Sequence, residues 1–425
     1  MAKHESLMSA FFAVVWGLAG SCLALALVLP SGYSLGAAGL LLLSLLTPFL
    51  DSYRLTSYEK ILIATLGGYF CLMVLFVYLD GWHYRELDRP LRFILTIPVL
   101  LLLLRCPGPR VLLWVGSILG AYGAFAFAIY DRFVLGKPRA EGLDMAVTFG
   151  NVAMLLGFLS AAAALYYFSQ RRYLWLALAL IGFVLGVMAS LLSGTRGGWL
   201  LLPPLLLFLG WHSRNLLGSK TIIAIGLVSL LGSIAILNSP QLGVADRLWA
   251  AFAGVQNYWQ GKPDLSVGGR LEMWRANLQF FASSPLLGVG EYQGMALKKA
   301  LAEAGMMSEV AASYSHAHNE YIDALGLRGL VGFTALLAAY LVPLCLFVAK
   351  LGSSHKSWRV RSYALAGALI PLSYMIFALT DAMFSNNIGV MLYVFPIAFF
   401  WAAVQREETL ENITLHTAGE SANYR

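Results

Sequence analysis

The stretch SHAHNEYIDALGLRGLVGF, Ser315 to Phe333, gathers ionisable groups where a polar segment runs into a strongly apolar one. His318 stands at the mouth of the helix that this apolar run predicts. A helix N-terminus disfavours imidazolium and keeps such a ring neutral, able to accept a proton near neutral pH, while Glu320 in the first turn works against that shift. Two readings fit His318 and Asn319: a general base with its neighbour, or a pair of caps for the free N–H groups of the helix. His316 and His318 have a spacing that can bind a metal ion. The only other histidine expected on that side is His83, and no acidic cluster completes a site, so no metal is expected. Gly326, Gly329 and Gly332 recur every third residue and would let the helix approach its neighbours closely. Arg328 lies within the apolar run, and Asp323 or Asp381 is its expected partner.

Two further stretches carry cations. In SGTRGGWL, Ser193 to Leu200, the glycines leave backbone N–H groups open, Ser193 or Thr195 can cap, and Arg196 adds charge where a helix N-terminus favours anions. The alternative is that Arg196 anchors a span at the membrane boundary. Arg270 and Arg275 lie in RLEMWRANLQFF, where Leu271, Trp274, Leu278 and Phe281 recur at helical spacing. Guanidinium groups suit diphosphate oxygens, and three arginines on one side of a membrane would neutralise a departing diphosphate without a metal. Surface pairing with Glu272 or Asp264 is the alternative.

The elements that must position these residues are membrane helices. The chain has 425 residues, is 59% hydrophobic and only 12% charged, and has a mean hydropathy of +0.72; soluble domains carry about a quarter charged residues. About twelve apolar runs approach the length needed to cross a bilayer. Those at 91–104 and 198–211 are short, and Pro203 and Pro204 predict a kink in the latter. The first run reads as a retained span rather than a removed signal peptide. Alternating outward from a cytoplasmic N-terminus places most short Lys/Arg loops inside, as the positive-inside rule expects. The expected organisation is an all-α polytopic protein: nine spans over 1–237, a periplasmic loop with amphipathic helices over 238–317, three spans over 318–404, and a polar, mobile cytoplasmic tail over 405–425. The net charge of +7 is explained by this topology and implies no nucleic acid. Cys22, Cys71, Cys106 and Cys345 lack a CxxC spacing and imply neither disulfides nor zinc. The loops around Trp82 to Arg89 and Asp131 to Asp144 are long enough to reach a substrate.

His318-Asn319 followed by Gly329-x-x-Gly332, together with Arg196-x-x-x-Leu200, resembles the signature of bacterial O-antigen ligases and of the superfamily they share with O-antigen polymerases. Arg270 to Gly290, with Trp274 and SPLLGVG, is similar to that superfamily's loop helix and following turn. The resemblance implies a membrane glycosyltransferase (C-type) fold of the bacterial inner membrane, with a site facing the periplasm. It also implies metal-independent, inverting transfer with no cofactor, from a glycan on undecaprenyl diphosphate to a sugar hydroxyl of the lipid A core. In that reading His318 is the base and Arg196, Arg270 and Arg275 hold the diphosphate, with His316, Asn319, Tyr321, Gly329 and Gly332 in support. The absence of any DxD sequence agrees with it. An O-antigen polymerase or a protein O-oligosaccharyltransferase would share much of the pattern. A small-anion transporter is disfavoured, because the polar groups sit at the outer edge rather than at the midplane of paired broken helices.

Overall fold

The computed structural model describes residues 2–238, 244–260, 267–352 and 357–423. Among them only helices and their connections occur. In chain order the α-helices are α1 (Ala2–Ala24), α2 (Gly32–Ser44), α3 (Ser57–Leu79), α4 (Leu91–Arg105), α5 (Leu112–Ile129), α6 (Ala146–Ser169), α7 (Tyr173–Ser193) and α8 (Arg196–Leu237). They continue as α9 (Val244–Trp259), α10 (Val267–Ser283), α11 (Glu291–Glu303), α12 (Glu309–Ser313), α13 (Glu320–Leu351), α14 (Trp358–Phe377) and α15 (Asn387–Asn423).

Among the described residues nine helices are long and apolar enough to cross a membrane: α1, α3, α5 (extended to Val134), α6, α7, α8, α13, α14 and α15. The chain is a multi-pass membrane protein. The difference from about twelve spans falls at three places. The helices α2 and α4 have only 13 and 15 residues, whereas a span needs roughly twenty. The two runs expected at 198–211 and 221–237 lie in the single element α8, whose backbone leaves helical geometry at Gly218 (φ 73°, ψ 156°). The break therefore comes at that glycine and not at Pro203 and Pro204.

Helices α6, α14 and α15 form the interior, apolar around most of their circumference as buried helices are. Aromatic rings pack these helices against their neighbours: Trp114 of α5 stacks on Tyr363 of α14 at 4.6 Å, and Phe384, just before α15, lies 5.0 Å from Tyr393 and 5.3 Å from Tyr340 of α13. At the other end of α15 the helix runs on past residue 404, where a mobile tail was expected. Its first polar turns are docked: Glu407 accepts from Arg110 at 3.0 Å, Glu408 pairs with Lys350 at 2.6 Å, and Glu411 accepts from the Ser357 N–H at 2.9 Å.

The segment between α8 and α13 contains α10, which covers the RLEMWRANLQFF stretch, and α11. The turn after α10 is sewn into α13. At Gly329 (φ 61°, ψ −162°) α13 leaves helical geometry, and residues 285–290 take up the backbone groups that the break releases. Gly326 and Leu327 carbonyls accept from the Val289 and Gly290 N–H groups at 3.2 and 2.9 Å, and Leu330 and Val331 N–H groups donate to Pro285 and Leu286 at 2.8 and 3.1 Å. Unpaired backbone groups at this depth would each cost several kcal/mol. The glycine ladder serves this junction. A Cβ on Gly329 would come within 2.4 Å of the Leu286 carbonyl, and one on Gly326 within 2.4 Å of Asn277 Oδ1.

Gly329→Ala should lower thermal stability in detergent by about 2 kcal/mol or more, because a non-glycine residue in the left-handed region costs roughly 1–2 kcal/mol before any clash. Gly226→Ala, in helical α8 with open space around it, should be neutral or stabilising. Equal melting temperatures for the two variants would contradict the junction.

Candidate functional site

The segment 314–319 leads into α13 and is held from several sides. The Trp274 indole N–H of α10 donates to the Ala317 carbonyl at 2.9 Å, and Lys298 of α11 donates to the Tyr314 carbonyl at 2.6 Å. Lys298 is buried, which lowers its pKa. From α13, both oxygens of Asp323 accept from the Ala317 N–H at 3.0 Å. The Glu320 N–H donates to the Ala378 carbonyl at 2.9 Å, and the Glu320 carboxylate accepts from the Tyr340 hydroxyl and the Phe384 N–H, both at 2.9 Å. Three helices and the turn between α14 and α15 thus fix a stretch that is itself irregular.

Asn319 is the cap of α13, its Oδ1 accepting from the Tyr321 and Ile322 N–H groups at 3.1 Å. His318 is no part of the cap. Its backbone is in the left-handed region (φ 50°), which for a residue with a Cβ costs roughly 1–2 kcal/mol. That conformation directs its imidazole at the turn between α14 and α15, where Nδ1 lies 3.5 Å from Asp381 Oδ1. Neither His318 Nδ1 nor Asp381 Oδ2 has a hydrogen-bond partner, and Asp381 is 2% exposed. The His316 ring meets His318 edge-on at 4.5 Å, and Tyr314 meets it at 5.5 Å.

Burial first, and the charge of His318 second, push the His316 pKa down from 6.5 to about 4, with Lys298 and Arg89 adding to the fall and Asp381 opposing it. Arg89, exposed in the connection between α3 and α4, is the more distant of the two cations that act on His316. Sequence reading left it as one residue of a long loop. Asp381 was expected only as a partner for Arg328; its place between two apolar runs marks it as an intramembrane-edge carboxylate but does not say which residue it faces.

Arg328 pairs with Glu291 at the start of α11. Neither expected partner is used, because Asp323 is committed to Ala317 and Asp381 to the histidine side. Asp80 and Glu86 line the same small cavity as this ion pair. Asp80 accepts from the Tyr292 N–H at 2.7 Å, and burial raises the Glu86 pKa to about 7.

The SGTRGG stretch differs from the expected open seat. The hydroxyls of Ser193 and Thr195 are buried, donating to the Ser190 and Ala146 carbonyls at 2.7 and 2.8 Å and contacting each other at 2.7 Å. Gly194 ends α7 in the left-handed region (φ 67°), and its N–H donates to Leu191. These groups are spent on the turn. Arg196 opens α8; its side chain lies outside the described residues. The next residue, Gly197, packs so closely on Thr380 that a Cβ there would come within 2.3 Å of its Oγ1. The Arg196 backbone is thereby brought beside the turn that carries Asp381. Arg270 is half-buried one helical turn before Trp274, whereas Arg275 is exposed on α10. Glu272, offered as their partner, accepts instead from the Ser308 hydroxyl at 2.6 Å and N–H at 3.0 Å; Asp264 lies outside the described residues. Tyr321, in the first turn of α13, donates its hydroxyl to the Met375 carbonyl at 2.7 Å, and Gly332 packs against Arg328.

Among the described residues, one group of three metal-binding side chains occurs: His316, His318 and Asp381, with ligand atoms within 4.8 Å of one another. The acidic third member was not expected from the sequence.

Residues 181–337 match the O-antigen ligase family, so the resemblance carried by Arg196, His318 and the glycine ladder is borne out over that stretch. Asp381 lies beyond it. The chain is 26% identical over 373 residues to an "Uncharacterized protein" of Haemophilus influenzae (strain KW20/Rd), covering 86% of this chain and 92% of that one. It is 27% identical over 230 residues to an O-antigen ligase of Escherichia coli (strain K12), covering 52% of each chain.

Because the folded state binds fewer protons at His316 than the unfolded chain between about pH 6.5 and 4, stability should fall as pH drops through that window. In melting curves across it, His316→Asn should show a shallower decline than the wild type; identical slopes would mean that His316 is not held neutral.

Proposed function

We propose that the protein is an O-antigen ligase that transfers a glycan from undecaprenyl diphosphate to a sugar hydroxyl of the lipid A core oligosaccharide. In this reading it sits in the bacterial inner membrane with the site facing the periplasm, and residues 238–317 form the loop over that site. The observation that carries the proposal is the separation of roles at the mouth of α13. Asn319 takes the cap, and His318 is held in a costly conformation with its ring beside a buried carboxylate. A cap alone needs no such arrangement.

A sugar hydroxyl is a weak nucleophile until its proton is removed as the new bond forms. When the ring carries its hydrogen on Nδ1, 3.5 Å from Asp381 Oδ1, the other nitrogen of His318 has a free lone pair, and closer approach of Asp381 stabilises the imidazolium that forms, as carboxylates do beside catalytic histidines. The acceptor oxygen attacks the anomeric carbon from the face opposite the diphosphate, so the anomeric configuration inverts. The C–O bond to the diphosphate breaks, its electron pair leaves with undecaprenyl diphosphate, and the acceptor proton passes to His318. Charge developing on the leaving diphosphate falls to Arg196 and Arg270, with Arg275 exposed on α10. This route needs no metal or cofactor.

In cells lacking their own ligase, wild-type protein should restore glycan-capped lipopolysaccharide on a gel, and His318→Ala at matched levels should not. With purified components His318→Ala should lose about 10²–10⁴-fold in rate, and Asp381→Asn should fall between it and the wild type. Asn319→Ala should instead lose about 1 kcal/mol of stability, the usual worth of a cap. Transfer to a polypeptide or to a second lipid-linked glycan, with none to lipid A core, would replace the ligase reading with that of the corresponding relative.

A further inference from the structure

We infer that His316, His318 and Asp381 form a binding site for a divalent transition-metal ion such as Zn²⁺, and that occupancy of this site shuts the transferase off. Two segments more than sixty residues apart supply the three donors, whose atoms lie within 4.8 Å of one another. Imidazole nitrogens and a carboxylate are a donor set that Zn²⁺ favours. A tetrahedral Zn²⁺ ion with bonds of about 2.0–2.1 Å holds its ligand atoms about 3.4 Å apart. The 3.5 Å between His318 Nδ1 and Asp381 Oδ1 already meets this spacing; His316, whose Nδ1 accepts from the His318 N–H at 3.3 Å, has to turn inward to complete the set.

An independent observation points to a ligand here. Asp381 is 98% buried, and its Oδ2 has no hydrogen-bond partner, nor has His318 Nδ1. A buried carboxylate oxygen left unpaired costs free energy, and a cation between the rings and the carboxylate would remove that cost. The donor set is half-buried at the histidines, which leaves a fourth position for water. Arg89 and Lys298 place positive charge around His316 and oppose cation binding, so affinity on the order of micromolar is expected rather than that of a structural zinc site.

Coordination follows from donor geometry alone, whereas inhibition rests on the proposed role of His318. A neutral imidazole bound to metal through Nδ1 carries its hydrogen on Nε2 and has no lone pair left to take the acceptor proton. Asp381 would also be withdrawn from the imidazolium that it otherwise stabilises. The metal acts here as a competitor of the base and not as a cofactor.

The test is calorimetric titration of ZnCl₂ into purified, tag-free protein in detergent without substrates, repeated with CoCl₂ and followed by visible absorption. Expected are one equivalent bound and a tetrahedral cobalt spectrum free of thiolate bands, which separates this site from the cysteines. His316→Ala and Asp381→Asn, each checked for an unchanged melting temperature, should weaken binding at least tenfold; His316→Asn serves if the alanine form does not fold. Transfer by the wild type should fall with added Zn²⁺ and recover with chelator. Absence of stoichiometric binding, or binding unchanged in both variants, overturns the inference. Metal binding by a protein that transfers no glycan would leave this site standing and remove the ligase reading instead.

Discussion

The constraint on which the rest depends is the backbone exchange between α13 and residues 285–290. A helix in an apolar surrounding cannot leave its N–H and carbonyl groups unpaired, yet α13 is interrupted at Gly329, and the four groups released are taken up by the preceding turn. The exchange fixes α10 and α11 against the membrane helices. From that placement Trp274 and Lys298 reach the carbonyls of 317 and 314, and the ion pair of Arg328 with Glu291 closes the junction on the α11 side.

The histidine segment inherits its rigidity from these contacts. Each of its anchors comes from a different element, so the left-handed backbone of His318 is over-determined rather than adopted by chance, as strained residues must be if they are to persist. The turn between α14 and α15 completes the site from the opposite side. It brings Asp381 to the imidazole and Thr380 to the first turn of α8, and two motifs far apart in the chain meet across a few residues that neither contains.

Membrane character, the helix over 267–283 and the place of His318 at a helix mouth were legible in the sequence because each is a local signal: apolar length, helical period, a histidine where a polar segment meets an apolar run. Asp381 was not legible as the partner of His318, since nothing local distinguishes it from any carboxylate between two apolar runs. The partner of Arg328 was missed for a related reason. Asp323 lies within helical reach in sequence but is spent on the Ala317 N–H, and Glu291 becomes available only through the folding back of α11. The glycine ladder was read as a surface for helix packing, whereas at Gly329 it marks a break; small residues at a fixed spacing look alike in both cases. In SGTRGG the hydroxyls and Gly194 that suggested an anion seat are consumed by the turn itself, an outcome that depends on where α6 packs.

The broken helix also bears on biogenesis. The turn at 285–290 precedes its acceptor in the chain by about forty residues, a loop whose closure is entropically cheap. Until it has folded back, α13 enters the bilayer with an unsatisfied break and an unpaired arginine. Membrane integration of this helix and assembly of the segment before it are therefore one cooperative event, and a chain stalled between the two would present quality-control proteases with a span that is poorly retained in lipid.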